Sequence, residues 1–298
     1  MYTPRQIVVP VDFSEPSRAA ARRALGLAQA FDTPLHLVHS LQYPDIGSYW
    51  EFNLPPKAWE TTREQARAAL LQLENELTEE GVSVSSQLAE TDPVSAIEAA
   101  VDQHRSNLIV MGTHGHSGLK HAVLGSVAER TLRAVNCPTL AVKESEADAR
   151  RPLQRILYAT DFSIHSKRAA LLTSGLAQKL GARVDVLHVL MLPSSAVGPY
   201  GIPPSDEVVQ QLRESARALL DEATLLFSNS DLSVESHLHQ GLPSEVLARE
   251  AERLEADLIV MGTRGNTGLK HVFLGSVTER TLRTAPCSVL TTKDGDPI

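Results

Sequence analysis

The sequence predicts an α/β protein made of two repeated doubly wound domains, each with a five-stranded parallel sheet flanked by helices. Three observations predict this fold. The chain repeats itself at about half its length, short apolar runs alternate with helical stretches within each repeat, and most of these runs are apolar on both faces. A chain of 298 residues with 42% apolar residues is long enough for two such domains, each with its own core.

The repeat is clearest at the start of each copy, where IVVPVDFSEPSRAA matches ILYATDFSIHSKRAA. This alignment places Asp12 opposite Asp161 and His39 opposite His188. We therefore predict one domain over residues 1–144 and a second over residues 154–298. The charged stretch Lys143–Gln154 lies between them and is typical of a linker.

The strands of the first repeat are predicted from short apolar, β-branched runs. Four of them read as buried parallel strands because both of their faces are apolar: Ile7–Val11, Leu35–His39, Leu108–Met111 and Leu140–Val142. The segment Val82–Leu88 alternates instead, as expected of a half-exposed strand. With the helices between them, these strands predict a doubly wound sheet.

The helices carry recognisable start and stop signals. Ser14 and Asp92 each precede a helical stretch with a proline in its first turn, which is the pattern of an N-cap followed by a helix start. The long stretch Ala58–Glu80 is rich in Ala, Leu, Gln and Glu, and we predict that it is a surface helix ending at Gly81.

Composition argues against two classes of main partner. The formal net charge of −8 and a pI near 5.8 argue against nucleic acid or an anionic membrane surface, since both need a basic footprint. No apolar run approaches the length of a membrane span, and the first residues lack the layout of a signal peptide, so we expect a cytoplasmic protein. The two cysteines, Cys137 and Cys287, precede the last strand of each repeat and are predicted to be buried thiols.

A glycine-rich loop occurs once in each repeat. It reads MGTHGHSGLKHAVLGS over Met111–Ser126 and MGTRGNTGLKHVFLGS over Met261–Ser276. Glycine lets a backbone approach a ligand, and the first N–H groups of a helix are unsatisfied donors at its positive end. A loop that leaves a strand with Gly-x-x-Gly and returns to a helix with Gly-Ser therefore predicts a phosphate cradle, in which Ser126 is either a phosphate ligand or the helix N-cap.

Two well-known phosphate-binding patterns do not fit this loop. The pattern G-x-x-x-x-G-K-[ST] fails because Leu119 separates Gly118 from Lys120, and G-x-G-x-x-G has no match. His114, His116 and His121 suggest a metal, but the second repeat has Arg264 and Asn266 at the first two positions and the ligand set is incomplete. We therefore predict no metal site there.

The loop spacing, Gly112-x-x-Gly115 followed by nine residues and Gly125-Ser126, together with PVDFS on the first strand, resembles the ATP-binding subgroup of the universal stress protein family. The second repeat carries Gly262-x-x-Gly265, nine residues and Gly275-Ser276, with ATDFS before it. The resemblance covers both repeats. It implies a five-stranded α/β sandwich that binds ATP or another adenine nucleotide with magnesium, and that pairs through its last strands. In a tandem chain the two halves would form this pair within one chain, while an unknown protein partner and further homodimerisation stay open.

The same resemblance implies the contact residues. In the first repeat they are Pro10, Val11, Asp12, Ser40, Met111, Gly112, Gly115, Gly125, Ser126 and Val127. In the second repeat they are Ala159, Thr160, Asp161, Val189, Met261, Gly262, Gly265, Gly275, Ser276 and Val277. The two aspartates suit ribose hydroxyls or the adenine edge, because a carboxylate is repelled by phosphates; the alternative is a local turn with the following serine. His39 and His188, which end apolar strands, are predicted to be hydrogen-bonded core residues.

The repeats also differ near the predicted sites. Ser40 is polar where the second repeat has Val189, and Thr91-Asp92-Pro93 stands where the second repeat has Gly241-Leu242-Pro243. The two sites are therefore expected to differ in affinity, or one of them to be degenerate.

Three functions remain open on the sequence. No nucleophile is arranged beside a base and an orienting acid, which favours a regulatory stress-response module that binds adenine nucleotide. The second function is a slow ATP hydrolase or phosphotransferase that uses magnesium and a hydroxyl such as Ser126. The third is a scaffold that has kept the loop without binding nucleotide.

Overall fold

A computed structural model describes residues 2–42, 56–113, 124–143, 145, 148–191, 205–227, 232–263 and 274–293. Within these residues the chain divides into two compact units. One contains residues 4–151, and the other contains residues 152–293 together with residues 2–3.

The first unit is built on a parallel sheet with the strand order β3-β2-β1-β4-β5. Its strands are β1 (Ile7–Pro10), β2 (Leu35–Ser40), β3 (Val84–Ala89), β4 (Leu108–Gly112) and β5 (Thr139–Val142). The direction of winding reverses between β1 and β4, so a crevice is expected at the carboxyl ends of these two strands.

Among the described residues of this unit, four α-helices connect these strands and one 3₁₀ turn follows β5. They are α1 (Glu15–Phe31), α2 (Pro56–Thr78), α3 (Pro93–His104), α4 (Ser126–Ala134) and the 3₁₀ turn Asp148–Arg150. Helix α1 packs on β4 and β1, α2 on β3, and α3 on β2 and α4. No helix among the described residues is both long enough and apolar enough to span a lipid bilayer.

The second unit repeats this architecture with the strand order β10-β9-β6-β7-β8, again parallel. Its strands are β6 (Arg155–Ala159), β7 (Arg183–Leu190), β8 (Val234–Gln240), β9 (Leu258–Gly262) and β10 (Ser288–Thr292). Its helices are α5 (Ile164–Leu180), α6 (Asp206–Leu225), α7 (Pro243–Arg253) and α8 (Ser276–Thr284). The predicted fold class, two tandem α/β domains with parallel sheets flanked by helices, is confirmed.

The strands form where their side chains are apolar on both faces, and each predicted strand is present within two residues of its predicted ends. Ile7, Leu35 and Ile109 are fully buried, as are their neighbours Val8 and Leu37, so both faces of the central strands lie in the core. Strand β3 keeps the half-exposed pattern predicted for it. Cys137 and Cys287 are both buried, also as predicted.

The helix starts follow the predicted caps. The Ser14 hydroxyl accepts a hydrogen bond from the Ser17 N–H, and the Asp92 carboxylate accepts from the N–H groups of Val94 and Ser95. These bonds satisfy donors that the first turn of a helix leaves without backbone partners.

The linker is more ordered than its composition predicts. A coil is expected over Lys143–Gln154, yet Asp148–Arg150 forms a 3₁₀ turn. The buried guanidinium of Arg23 on α1 donates to the carbonyl of Arg151 at 2.5 Å and to the carbonyl of Asp148 at 3.4 Å. The turn is therefore held by a residue more than a hundred positions away in the chain, which explains why local composition does not predict it.

Candidate functional site

A cleft of about 230 Å³ lies at the carboxyl ends of β1, β2 and β4 in the first repeat. It occupies the point where the winding reverses, where ligand sites of such sheets are usually found. Nine of the ten residues predicted for this repeat line it: Pro10, Val11, Asp12, Ser40, Met111, Gly112, Gly125, Ser126 and Val127. The tenth, Gly115, lies outside the described residues, as do His114, His116, His121 and Lys120.

The turn between β1 and α1 fixes the acidic side of this cleft. Oδ1 of Asp12 accepts hydrogen bonds from the Ser14 N–H at 3.0 Å and from the Ser14 hydroxyl, and the Asp12 N–H donates to Oγ of Ser17 at 3.3 Å. Phe13, between these residues, has a φ of 64°. A non-glycine residue in this left-handed region costs roughly 1–2 kcal/mol, so the turn is held in place by its surroundings.

The alternative prediction for Asp12, a local turn with the following serine, is therefore correct for its Oδ1, which accepts both hydrogen bonds from Ser14. Asp12 also lines the cleft, so its charge lies close to any ligand that enters. A turn role and a ligand role are compatible, because a carboxylate has about four acceptor positions on its two oxygens.

The return of the glycine-rich loop forms the second side of the cleft. Gly125 is the N-cap of α4, and among the described residues no side-chain hydrogen bond caps that helix. The N–H groups of its first turn are thus available to a ligand, at the positive end of the helix dipole. The alternative prediction that Ser126 is the N-cap is wrong, since Ser126 is the first helical residue and its side chain is exposed.

Gly112, at the end of β4, allows a close packing contact beside the cleft. A Cβ atom at this position would lie 2.8 Å from both the carbonyl carbon and the carbonyl oxygen of Pro16. The sequence predicts that this glycine admits a ligand. Its second role is to allow the close approach of α1 to β4. This role depends on the contact with Pro16, which cannot be read from the spacing of residues in the glycine-rich loop.

Helix α3 supplies a third side of the cleft, whose residues are not among those predicted for the site. Pro93, Ala96 and Ile97 line the cleft. Their spacing places them on one face of the helix, and this is the signal that could have identified them. The hydroxyl of Ser40 at the end of β2 donates to the carbonyl of Thr91 just before α3.

Five further lining residues follow from neighbours of the predicted set: Ser17, Val38, His39, Thr113 and Ala128. Nδ1 of His39 lies 2.7 Å from the carbonyl oxygen of Val11. Because a carbonyl can only accept, this nitrogen carries the proton. The prediction that His39 is hydrogen-bonded is correct, but its ring also forms part of the cleft wall.

The second repeat has the same local geometry at matching positions. Oδ1 of Asp161 accepts from the Ser163 N–H at 3.1 Å and from the Ser163 hydroxyl at 2.6 Å. Phe162 has a φ of 66°, and Gly275 is the N-cap of α8 without a side-chain cap. The other predicted residues lie as their sequence positions require, at the ends of β6, β7 and β9 and at the start of α8: Ala159, Thr160, Val189, Met261, Gly262, Ser276 and Val277. Gly265 lies outside the described residues.

The repeats differ most at the start of the helix that follows the third strand. In the first repeat the Asp92 side chain caps α3. In the second, Leu242 is the N-cap of α7 and provides no side-chain hydrogen bond, while Gly241 before it has a φ of 146°. Residues other than glycine rarely adopt a φ in this region. The first site is therefore flanked by a carboxylate that the second does not have.

A different cluster, at the opposite ends of β6, β7 and β8, contains metal-ligand types. Asp185, Glu235 and His237 each offer a ligand atom, and these atoms lie within 4.8 Å of one another. However, Oδ2 of Asp185 accepts from Nε of Arg155 at 2.7 Å, and a guanidinium nitrogen of Arg183 lies 2.8 Å from Oε1 of Glu235. Two guanidinium charges offset both carboxylates, so the cluster is a charge-balanced network and not a site for a cation.

The pKa of the Asp185 carboxyl reflects this network. Burial raises its pKa, but hydrogen bonds from Arg155 and His237 outweigh burial and hold the pKa below its ordinary value. The corresponding position in the first repeat is His36, which has no carboxylate partner in the contacts of the described residues and stacks on His104.

Comparison with known proteins identifies the relatives of this chain. The sequence model of the Universal stress protein family matches residues 3–143 and, a second time, residues 152–293. A universal stress protein of Mycolicibacterium smegmatis is 27% identical over 292 residues, which is 95% of each chain. One from Methanocaldococcus jannaschii is 32% identical over 150 residues, covering 48% of this chain and 85% of the relative.

Solved structures agree at the level of the fold. The crystal structure of a universal stress protein from Archaeoglobus fulgidus aligns with a TM-score of 0.69 at 23% identity, over 98% of this chain and 97% of that chain. The family model matches nearly the whole chain in two successive segments, each of which contains a five-stranded parallel sheet. This chain therefore belongs to the universal stress protein family, as a tandem two-domain member.

Proposed function

We propose that this protein binds an adenine nucleotide, ATP with magnesium, at one site in each repeat, and that the bound nucleotide regulates its conformation or its affinity for a partner. The observation that carries the proposal is the cleft of the first repeat. There an aspartate and a helix N-terminus without a side-chain cap meet at the switch point of a parallel sheet.

Different parts of the cleft lining suit different parts of a nucleotide. The first N–H groups of α4 are donors for phosphate oxygens. The carboxylate of Asp12 is an acceptor for ribose hydroxyls or for the amino group of adenine. The apolar side chains of Val38, Ile97 and Met111 offer a surface for the flat base. Magnesium would offset the phosphate charge, which a cleft containing a carboxylate otherwise disfavours.

The second repeat supports a second site. The carboxylate of Asp161 accepts the same two hydrogen bonds from the serine two positions later as the carboxylate of Asp12 does, and helix α8 begins at Gly275 without a side-chain cap, as α4 begins at Gly125. Both features that would recognise a nucleotide are therefore present twice.

The contacts inside the cleft favour binding over covalent catalysis. A serine, a histidine and an aspartate line it, namely Ser17, His39 and Asp12. The Ser17 hydroxyl donates to the carbonyl of Ser14 at 3.0 Å, and the proton on Nδ1 of His39 is directed to the carbonyl of Val11. A catalytic serine would instead donate to the imidazole, and the imidazole to the carboxylate.

The first test is to denature freshly purified protein and to identify any released nucleotide by chromatography. In parallel, protein stripped of nucleotide is titrated calorimetrically with ATP and magnesium. We expect binding of about two equivalents per chain, one for each repeat. Absence of bound nucleotide, together with no heat of binding at several temperatures, would contradict the proposal and favour a scaffold without nucleotide.

A second measurement separates binding from turnover. We expect bound ATP to stay intact in the protein over hours. Steady phosphate release that is abolished by Ser126→Ala together with Ser276→Ala would instead identify a slow ATP hydrolase.

A further inference from the structure

Each repeat contains the same contact between a histidine near the end of its second strand and the turn that carries its aspartate. Nδ1 of His39 lies 2.7 Å from the carbonyl oxygen of Val11, and Nδ1 of His188 lies 2.8 Å from that of Thr160. These carbonyls belong to the residues immediately before Asp12 and Asp161.

Each histidine ring also contacts the residue immediately after the aspartate. The rings of Phe13 and His39 have centroids 4.6 Å apart, and those of Phe162 and His188 have centroids 4.2 Å apart. Both phenylalanines have a left-handed backbone conformation. Residues other than glycine rarely adopt this conformation, so it persists only where neighbouring groups hold it.

The aspartate is thus held on both sides by one imidazole. The residue before it accepts a hydrogen bond from the ring, and the residue after it packs against the ring. The aspartate's own Oδ1 adds the turn bonds from the serine two positions later. Together these contacts fix where the carboxylate lies relative to the cleft.

We propose that His39 and His188 are positioning residues of the two nucleotide sites, which orient the carboxylates of Asp12 and Asp161 toward the ribose or the adenine edge of the ligand. This inference rests on the proposed function. The decisive contact is the hydrogen bond from Nδ1 to the carbonyl that precedes each aspartate. On this proposal each histidine affects ligand binding through its aspartate, whereas a residue that only packs in the cleft wall would affect binding without the aspartate.

The protonation state of the His188 ring agrees with this role. Burial lowers the pKa of His188 below its ordinary value, while the hydrogen bond to Thr160 and the charge of Asp161 act in the opposite direction. A neutral ring that donates from Nδ1 keeps one fixed tautomer, so the direction of its hydrogen bond does not change near neutral pH.

The test uses two substitutions of His39 in the full-length chain that carries Gly275→Val, so that only the first site reports. His39→Phe keeps a ring beside Phe13 but removes the donor. His39→Asn removes the ring but keeps an amide N–H at about the position of Nδ1. The readout is the Kd for ATP with magnesium, measured by calorimetric titration, with circular dichroism and thermal unfolding to show that each variant is folded.

We expect His39→Phe to raise the Kd about tenfold, as the loss of one buried hydrogen bond implies, and His39→Asn to stay within about threefold of the parent. A folded His39→Phe variant that binds ATP as tightly as the parent would overturn the inference. Equal losses in the two variants would also overturn it, because they would exclude the hydrogen bond as the decisive contact.

A double-mutant cycle with Asp12→Asn tests the route of the effect. If His39 acts through the carboxylate, His39→Phe has little further effect once Asp12 is Asn. Additive losses would show that His39 acts independently of Asp12 and would overturn the positioning role. His36→Asn on the same strand is the matched control, since Nδ1 of His36 bonds to Oγ of Ser85 and not to this turn.

The parent titration separates this inference from the proposed function. If neither the unsubstituted chain nor the Gly275→Val parent binds nucleotide, the proposed function fails and the inference fails with it. If the parent binds ATP and only the His39 results disagree, the inference alone is wrong.

Discussion

At the scale of single residues, Gly112 has a structural requirement that is separate from any ligand. A Cβ at this position would lie 2.8 Å from two backbone atoms of Pro16, and backbone atoms cannot move aside as a flexible side chain can. The start of α1 would have to shift instead. The turn just before that start contains Asp12 and Ser14, so strain at Gly112 is transmitted to the acidic side of the cleft.

We predict that Gly112→Ala destabilises the protein by about 1–3 kcal/mol, as overpacking of a filled site usually does, and also weakens ATP binding. The measurement is chemical denaturation combined with calorimetric titration. Gly26→Ala is the matched control, because a Cβ at Gly26 in α1 meets nothing within 4 Å. Alanine in place of this helical glycine should raise stability by about 0.5–1 kcal/mol. Equal unfolding free energies for the two variants would contradict the steric argument.

The sequence predicted most of the residues that line this cleft, and there is a physical reason for this. The carboxyl ends of β1, β2 and β4 are marked by strand ends, glycines and a repeated Asp-Phe-Ser, which are all local signals. Contacts between distant segments left no such signal. Examples are Pro16 against Gly112, Arg23 on the linker carbonyls, and the face of α3 that lines the cleft.

At the scale of elements, the second strands of the two repeats carry different charge at the same position. On β2 the position is His36, which is buried and stacks on His104 with ring centroids 3.9 Å apart. On β7 it is Asp185, which is fully buried and paired with Arg155 and His237. One fold therefore accommodates a neutral imidazole in one repeat and an ion-paired carboxylate in the other.

Burial, and secondarily the neighbouring His104, lower the pKa of His36 from 6.5 to about 4, while a hydrogen bond with Gln87 acts in the opposite direction. The unfolded chain thus binds a proton at this residue between pH 6.5 and 4 that the folded chain does not. The contribution of the neutral ring to stability is present above about pH 6.5 and is lost as the pH falls toward 4.

We predict that this single group lowers the unfolding free energy by roughly 2–3 kcal/mol between pH 7 and pH 4.5. His36→Leu should lose correspondingly less stability over the same interval, since leucine does not titrate. Denaturation at both pH values gives the change in unfolding free energy for each protein. Subtracting one change from the other removes the contribution of the carboxyl groups that the two proteins share. Identical pH dependence in both proteins would exclude His36 as the cause.

Hydrogen exchange can locate this effect. The pKa of Asp185 is held below its ordinary value, so the stability that this group contributes is lost only at a lower pH. When the pH is lowered from 7 to 4.5, we therefore expect the amide groups of β2 and β3 to lose more protection from exchange than those of β7 and β8.

The elements themselves were predictable within about two residues, and the deviations have local causes. Helix α2 was predicted to end at Glu80 and ends at Thr78, because the N–H groups of Glu80 and Gly81 bond to carbonyls three residues earlier. Such tighter bonds finish a helix with a turn, which leads here to Gly81 with a φ of 88°. The residue types around a helix end do not distinguish the last helical turn from this closing turn.

At the scale of the whole molecule, the chain holds two copies of one fold, and the candidate sites of the two copies differ in sequence. Asp161, Phe162 and His188 reproduce the turn geometry of the first repeat, which indicates that the part nearest the aspartate has been retained. The rims differ, since Ser40 and Asp92 stand opposite Val189 and Leu242. Two sites with similar centres and different rims should bind the same class of ligand with different affinities.

We predict that Gly125→Val and Gly275→Val each remove one site and leave the other. A valine side chain at the N-cap would cover the first N–H groups of α4 or α8, which are the expected phosphate donors. Calorimetric titration with ATP and magnesium should give about one equivalent per chain for each single variant and none for the double variant. The two single variants should differ in Kd, because Gly125→Val leaves only the second site and Gly275→Val leaves only the first, and the rims of these sites differ.

Gly26→Val is the control for this experiment, since it places the same side chain on an exposed helix position where a Cβ meets nothing within 4 Å. It should keep both equivalents. A folded double variant that still binds two equivalents would exclude the starts of α4 and α8 as the phosphate sites. A single variant that loses both equivalents would show that the two repeats bind as one coupled unit, which would contradict the independence that their separate, complete copies of the turn imply.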